Sequence, residues 1–191
     1  YRVIILADVP RVADADARRL AQYVAQGGSL LIAPGSRALP QFYNQWLQED
    51  GKGPLLPAVL KERHEAIGDA KPVGLALSTF EHPALRPWAD PKTTDLGTSL
   101  FRGFWKLVDP DGAQIRSGGN FENGDPLLVE KQIGSGTVVV MAASLDVAGS
   151  NFATRKAFPV LLHSLVYHLA EVGRSGLTFE AGQEPTLALV G

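Results

Sequence analysis

The first part of the chain alternates apolar runs with one segment of helical periodicity. Residues 2–7 (RVIILA) are apolar after the first position, which is typical of a strand buried on both faces, as in a parallel sheet. Apolar residues over 13–26 recur at the spacing i, i+3, i+4 and i+7, and this stripe predicts an amphipathic helix. A second apolar run, residues 29–33 (SLLIA), follows two glycines. Strand, helix and strand in this order predict a βαβ unit with two parallel strands.

The middle of the chain shows weaker patterns. Residues 38–48 (ALPQFYNQWLQ) predict a short helix, and residues 72–77 (PVGLAL) predict a strand. The rest of 54–95 is punctuated by prolines, which favour loops and turns, so we expect it to be irregular. The short helix is expected to bury Phe42, Trp46 and Leu47.

Strand patterns return near residue 99 and precede a second helix. Residues 99–109 and 111–117 together predict one hairpin. Residues 125–144 predict strand, turn and strand, with a Gly-Ser-Gly sequence at the turn. An apolar stripe over 154–170 predicts a helix, and residues 174–191 are expected to be a tail or the start of a following module.

Together these elements predict an α/β fold in which a mostly parallel sheet is flanked by helices and carries an added antiparallel hairpin. In such sheets, ligands bind outside the carboxyl ends of the strands. Polar residues follow three of the predicted strand ends, and these residues are the candidates for binding a ligand. The candidates are Asp8, Ser36, Arg37, Ser144, Asp146 and Asn151.

Each candidate side chain has a chemical and a structural interpretation. Asp8 and Asp146 carry the carboxylates that a general base or a hard-cation ligand needs, but aspartates at such positions also bond the backbone of turns. Ser36 is a nucleophile only with a base in reach, and its neighbours do not form a G-x-S-x-G elbow. His82, in the sequence FEHPAL, is expected to hold a turn by bonding the backbone.

Histidine spacing does not predict a metal site. His163 and His168 lie five positions apart on one predicted helix, so their side chains face about 140° apart. A metal-binding helix instead places two histidines at i and i+4 on one face. We therefore predict no metal and no cofactor.

Composition excludes several classes of function. The chain of 191 residues is 45% hydrophobic and carries a net charge of −2, so it can bury a core but has no basic face for nucleic acid. It contains no Cys, which removes disulfides, thiolate catalysis and Cys-type zinc sites. No apolar run approaches the ~18 residues of a membrane span. The sequence opens on Tyr1 inside a strand pattern, and we expect it to be a segment of a longer protein.

The order of these motifs resembles a known family. The stretches YRVIILADVP, YVAQGGSLLIAPGS and PLLVEKQIGSGTVVVMAASLDVAGSNFATRKAFPVLLHSLVYHLA resemble the glutamine amidotransferase-like domains of large bacterial membrane-anchored proteins. Those proteins carry an aerotolerance-type membrane region and often a von Willebrand A-like domain. A more distant similarity is to the trehalose-utilisation family. The resemblance implies a flavodoxin-like domain over 1–173, with a further strand and helix preceding Tyr1.

The resemblance also implies that the usual chemistry is missing. Active class I amidotransferases place a Cys at the strand end where this chain has Ala33 and Pro34. Our leading hypothesis is therefore a non-catalytic interaction or ligand-sensing module, whose partner is another domain of the same parent protein or another protein. Neither nucleic acid nor direct membrane insertion is expected. The resemblance implies the extracytoplasmic side of a bacterial membrane, while the residues themselves leave the compartment open.

Two alternatives stay open at the level of sequence. The first is a hydrolase or carbohydrate-acting enzyme with a displaced site, which would use Asp8, Asp146 and either Ser36 or His82, with or without a divalent metal. The second is a domain that binds a sugar or another small ligand in the same place without chemistry.

Overall fold

The computed structural model describes residues 1–109 and 116–172, apart from the side chains of residues 116 and 172. The described strands, in chain order, are β1 Val3–Ala7, β2 Ser29–Ala33, β3 Val59–Glu65, β4 Leu75–Ala76, β5 Gly103–Val108, β6 Arg116–Ser117, β7 Asn120–Phe121, β8 Leu128–Ile133 and β9 Gly136–Met141. The helices are α1 Asp14–Ala25, α2 Pro40–Gln45 and α3 Phe158–Val172. Single turns of 3₁₀ helix begin at Leu77, Arg86, Leu96 and Phe152.

The main sheet has five strands in the order β1-β2-β9-β8-β6. The pairs β1/β2 and β2/β9 are parallel, and α1 connects β1 to β2, so the predicted βαβ unit is confirmed. Gly27 ends α1 at φ +96°, a left-handed conformation that glycine adopts without steric cost. All residues of β2 are buried, as its continuous apolar run predicts.

The other half of the sheet is antiparallel. β8 and β9 form the predicted hairpin, and Gly134 takes φ +58° in its turn. β6 then pairs antiparallel with β8. α1 packs against β2 and β9, whereas α3 packs against β1, β2 and β9. This arrangement confirms the α/β class and the antiparallel addition to a parallel core.

β1 is less buried than its sequence predicts. The apolar run suggests a strand covered on both faces, but Ile5 is 40% exposed and Ala7 is exposed. The reason is the strand order, because β1 lies at the edge of the sheet among the described residues. An edge strand has a neighbour on one side only, and the helices that pack on the sheet cover it incompletely.

A strand occurs where the sequence predicted irregular structure. β3 pairs antiparallel with β5, and its register shifts between Leu60 and Arg63. The sequence signal of a half-buried strand is a regular alternation of apolar and polar residues. The central residues of β3 are charged, and the bulge interrupts the alternation, so this signal is absent. The sequence predicted that residues 111–117 pair with β5. The described part of this segment, β6, pairs with β8 instead, so the prediction was wrong for residues 116 and 117.

Several boundaries also differ from prediction. The strand predicted at 72–77 is reduced to β4, which pairs with β7. α2 is shorter than 38–48 and leaves Leu47 51% exposed, although Trp46 is buried as predicted. α3 begins four positions later than residue 154. The tail 174–191 lies outside the described residues.

Candidate functional site

Strand β5 lies against the carboxyl ends of the central parallel strands. The backbone N–H of Trp105 donates to the carbonyl oxygen of Ala142, just after β9, at 2.9 Å. Its indole Nε1–H donates to the carbonyl oxygen of Gly35, just after β2, at 3.0 Å. One buried residue, through its backbone and its side chain, therefore ties the two strand ends together, at the edge where ligands bind in open α/β sheets.

Asp8 and Arg37 meet at this edge as an ion pair. The Asp8 carboxylate accepts hydrogen bonds from the Arg37 Nε–H at 2.8 Å and from the Arg37 backbone N–H at 3.2 Å. Arg37 Nη2 also donates to the Asp8 carbonyl oxygen at 2.9 Å. Asp8 has φ +46°, a conformation that aspartate tolerates better than most residues. The pair thus cross-links the ends of β1 and β2.

The candidates after β9 form separate local structures. The Ser144 hydroxyl donates to Asp146 Oδ1 at 2.8 Å, and the Ala148 N–H donates to the same oxygen at 2.9 Å. Asn151 Oδ1 accepts from the Leu100 N–H at 2.8 Å. Within the described ranges, no hydrogen bond or ion pair joins these residues to the Asp8–Arg37 pair. The remaining candidate, Ser36, is exposed in the turn after β2.

A second cluster of titratable residues lies away from this edge. His82 Nε2 is 3.0 Å from Glu130 Oε2, and His168 Nε2 is 2.8 Å from the same oxygen. Glu130 comes from β8 and His168 from α3, whereas His82 precedes a 3₁₀ turn. The imidazole rings pack edge-to-face, with centroids 4.7 Å apart. The side chains of His82, Glu130 and His168 are 0%, 11% and 15% exposed.

Hydrogen bonds keep Glu130 ionised in this cluster. Burial by itself raises the pKa of the Glu130 carboxyl, but hydrogen bonds and charge interactions with His168 and His82 outweigh burial and lower it to about 2. The Ala84 N–H donates to His82 Nδ1 at 3.1 Å. Since Nδ1 accepts this bond, the His82 proton resides on Nε2 and points at Glu130. The predicted role of His82, bonding the backbone of a turn, is confirmed.

Sequence reasoning missed the cluster because its members are far apart in the chain. His82 and His168 lie 48 and 38 positions from Glu130. His163 is not a member of this cluster and packs edge-to-face on Tyr167. One signal was available: His168 is adjacent to buried Leu169 and three positions after buried Leu165, so it lies at the margin of the buried stripe of α3.

An open groove lies in another part of the molecule, away from both of these groups of residues. A groove of about 800 Å³ runs between α1 and the segment that follows α2. Phe42, Trp46 and Leu47 line it together with polar residues of α1 that include Arg18 and Gln22. None of the six candidate residues lines this groove.

Neither a family model nor a curated protein matches the chain. None of the helices within residues 1–109 and 116–172 has the length and apolar character required to cross a bilayer.

Solved structures do match, at low sequence identity. The cytoplasmic proteins STM3548 from Salmonella typhimurium and STM1381 from Salmonella typhimurium LT2 each align with a TM-score of 0.62 and 18% identity, over 88% of this chain and 72% of theirs. A β-galactosidase from Rahnella sp. R3 aligns with a TM-score of 0.56 and 14% identity, over 87% of this chain and 23% of its own. These similarities establish a shared α/β fold.

Proposed function

We propose that this chain is a non-catalytic, flavodoxin-like domain of the glutamine amidotransferase-like type, and that it acts as an interaction module within a larger membrane-anchored bacterial protein. The observation that carries the proposal is the covered carboxyl edge, where Trp105 is bonded to both Gly35 and Ala142. An active site at the ends of β2 and β9 needs an accessible reactive group, and structural hydrogen bonds occupy those two strand ends instead.

The polar groups at the edge support the same interpretation. Ala33 and Pro34 occupy the strand end where an amidotransferase nucleophile would stand, and both are buried. The Asp8 carboxylate is held by Arg37, and the Ser144 hydroxyl donates to a carboxylate oxygen that already accepts a backbone N–H. A nucleophilic serine requires a base that accepts its proton and a third group that orients the base. The described residues around Ser144 do not provide this arrangement.

The structural neighbours are compatible with an accessory role. The matched part of the Rahnella β-galactosidase is about a quarter of that chain, so a fold of this kind occurs there as one part of a longer protein. We propose a comparable place for this domain in its parent protein. The groove beside α1 is the surface we assign to the partner, because its apolar lining by Phe42 and Trp46 continues to the exposed side chain of Leu47.

The first test is enzymatic. The purified chain would be incubated with L-glutamine and with p-nitrophenyl esters and glycosides. We expect no turnover above that of an Asp8→Asn, Asp146→Asn double variant. Turnover that disappears in the double variant would instead support the displaced-site hydrolase or carbohydrate-acting enzyme.

The second test addresses the interaction surface. The photoreactive residue p-benzoylphenylalanine would replace Leu47 in the full parent protein, expressed in its own cells. Val147, which is also exposed and does not line the groove, provides the matched control position. We expect one discrete cross-linked product from position 47 that position 147 does not give. The same products from both positions would contradict a specific role for the groove.

A further inference from the structure

We propose that His82, Glu130 and His168 form a binding site for a divalent transition metal ion, with Zn²⁺ as the best-fitting ion. The site would hold β8, α3 and the turn at His82 together. It is independent of the proposed interaction module, because the three residues lie outside the groove and outside the carboxyl edge.

The positions of the three ligand atoms fit such an ion. One possible ligand atom from each of His82, Glu130 and His168 lies within 4.8 Å of the other two, and both Nε2 atoms lie within 3.0 Å of Glu130 Oε2. A zinc ion binds nitrogen and oxygen ligands at about 2.0–2.1 Å, which places tetrahedral ligands roughly 3.3 Å apart. The two nitrogen–oxygen separations of 3.0 and 2.8 Å therefore need to widen by only a few tenths of an ångström. No other three His, Cys, Asp or Glu residues come this close within the described ranges.

The elements that supply the ligands hold them firmly. β8 is paired on both sides, by β9 and by β6. α3 is anchored by Leu165 and Leu169, which are almost completely buried. His82 is packed against Gly118, where a Cβ atom would overlap its side chain. Three ligands on fixed elements are arranged before the ion arrives, so little ordering is needed upon binding.

The chemistry of the ligand set selects the class of ion. Two imidazoles and one carboxylate are ligands typical of zinc sites, whereas calcium and magnesium prefer sets made of oxygen. Three protein ligands leave one position for water, and the partial exposure of Glu130 and His168 marks the side from which it would approach.

Metal binding requires a change in the protonation of the rings. An imidazole that coordinates through Nε2 carries its proton on Nδ1. In His82 a proton on Nδ1 would face the Ala84 N–H, which now donates to that nitrogen, so this hydrogen bond would be lost. No hydrogen bond to His168 Nδ1 is found among the described residues, so His168 can shift its proton at lower cost. The loss of the Ala84 bond weakens the site relative to one whose second nitrogen donates to a carbonyl.

The experiment uses the chain without a polyhistidine tag, freed of metal by a chelator and then dialysed. Titration with Zn²⁺ by calorimetry is expected to give one ion per chain, and Co²⁺ is expected to give the visible absorption of a tetrahedral or five-coordinate complex. His168→Gln and Glu130→Gln are expected to lower the affinity by at least tenfold. His163→Gln, on the exposed face of the same helix, is the matched control and should bind like the wild type.

Two results would overturn the proposal. One is the absence of stoichiometric uptake by the wild type, and the other is uptake by His168→Gln with the wild-type affinity. Since a cluster variant can fail to fold, ¹⁵N shifts of the wild-type histidines supply an independent measurement. Zn²⁺ should move the protonated nitrogen of His82 and His168 from Nε2 to Nδ1 and leave His163 unchanged. Equal shifts of all histidines, which indicate weak surface binding, would also overturn the proposal, and so would the absence of any shift.

Discussion

The indole nitrogen of Trp105 lies 3.0 Å from the carbonyl oxygen of Gly35, two positions beyond the buried end of β2. The same residue donates its backbone N–H to Ala142 beyond β9. Trp105 therefore supplies the donor for the Ala142 carbonyl and a second, shorter hydrogen bond to the Gly35 carbonyl, which also accepts from the Ala38 N–H at 3.3 Å. This residue covers the carboxyl ends of β2 and β9, at the edge that commonly carries function in an α/β sheet.

Trp105→Phe removes the indole N–H while keeping most of the aromatic volume. The Gly35 carbonyl then keeps only the longer bond from the Ala38 N–H, and we expect a loss of about 0.5–1.5 kcal/mol in the free energy of unfolding. Urea denaturation measures the change. Trp88→Phe is the control, because the buried Trp88 Nε1 has no hydrogen-bond partner among the described residues. A loss from Trp88→Phe as large as that from Trp105→Phe would contradict the role of the bond.

The covered edge also predicts the reactivity of introduced thiols. The chain has no Cys, so each single-Cys variant reports on one position. We expect Ala33→Cys to react slowly with a thiol reagent such as DTNB, because residue 33 is fully buried. Ser36→Cys, three positions later and exposed, should react at the rate of a free thiol. Comparable rates at both positions in the native protein would indicate an open edge.

Gly35 and Asp8 are coupled by close packing. A Cβ atom at residue 35 would overlap the Asp8 carboxylate, so Gly35→Ala is expected to cost about 1–3 kcal/mol of stability. Asp8→Gly removes the obstructing side chain, and in that background Gly35→Ala should cost less. Thermal or chemical unfolding of the four variants measures the coupling. Gly51→Ala is the control, because open space surrounds residue 51, and its cost should be the same in both backgrounds.

The ionised state of Glu130 makes stability depend on pH. The folded-state pKa of about 2 lies below the ordinary value of 4.5, so the ionised carboxylate stabilises the fold fully above pH 4.5. This contribution, about 3 kcal/mol at most, is lost as the pH falls from 4.5 toward 2. The difference in the free energy of unfolding between the wild type and Glu130→Gln should therefore be largest above pH 5 and should decrease as the pH falls below 5.

The measurement is chemical denaturation of both proteins between pH 2.5 and 8 in metal-free buffer. Glu62→Gln serves as the control, since the exposed Glu62 pairs with Lys106 at 2.7 Å on the surface. An exposed ion pair contributes little and is screened by salt. A difference for Glu130→Gln that is independent of pH would contradict the lowered pKa.

Local patterns were sufficient for the central elements of the fold. The apolar run of 29–33, the amphipathic stripe of α1 and the hairpin at Gly134 each carry their own signal, because burial and turn geometry act on neighbouring residues. The strand β3 carried no such signal, since its register is set by pairing with β5 and is broken by a bulge. The exposure of Ile5 depended on strand order, which periodicity does not encode.

The candidate residues likewise divide into those that the sequence located and those that only the tertiary structure brought together. The sequence alone placed Asp8 and Arg37 after adjacent parallel strands, and the parallel register brought them together as an ion pair. The sequence by itself also determined the absence of a thiol nucleophile and the turn-holding role of His82. Only the tertiary structure decided that Trp105 joins the ends of β2 and β9 and that His82 and His168 converge on Glu130. Such contacts join residues distant in the chain, and their energies appear only when separate elements pack together.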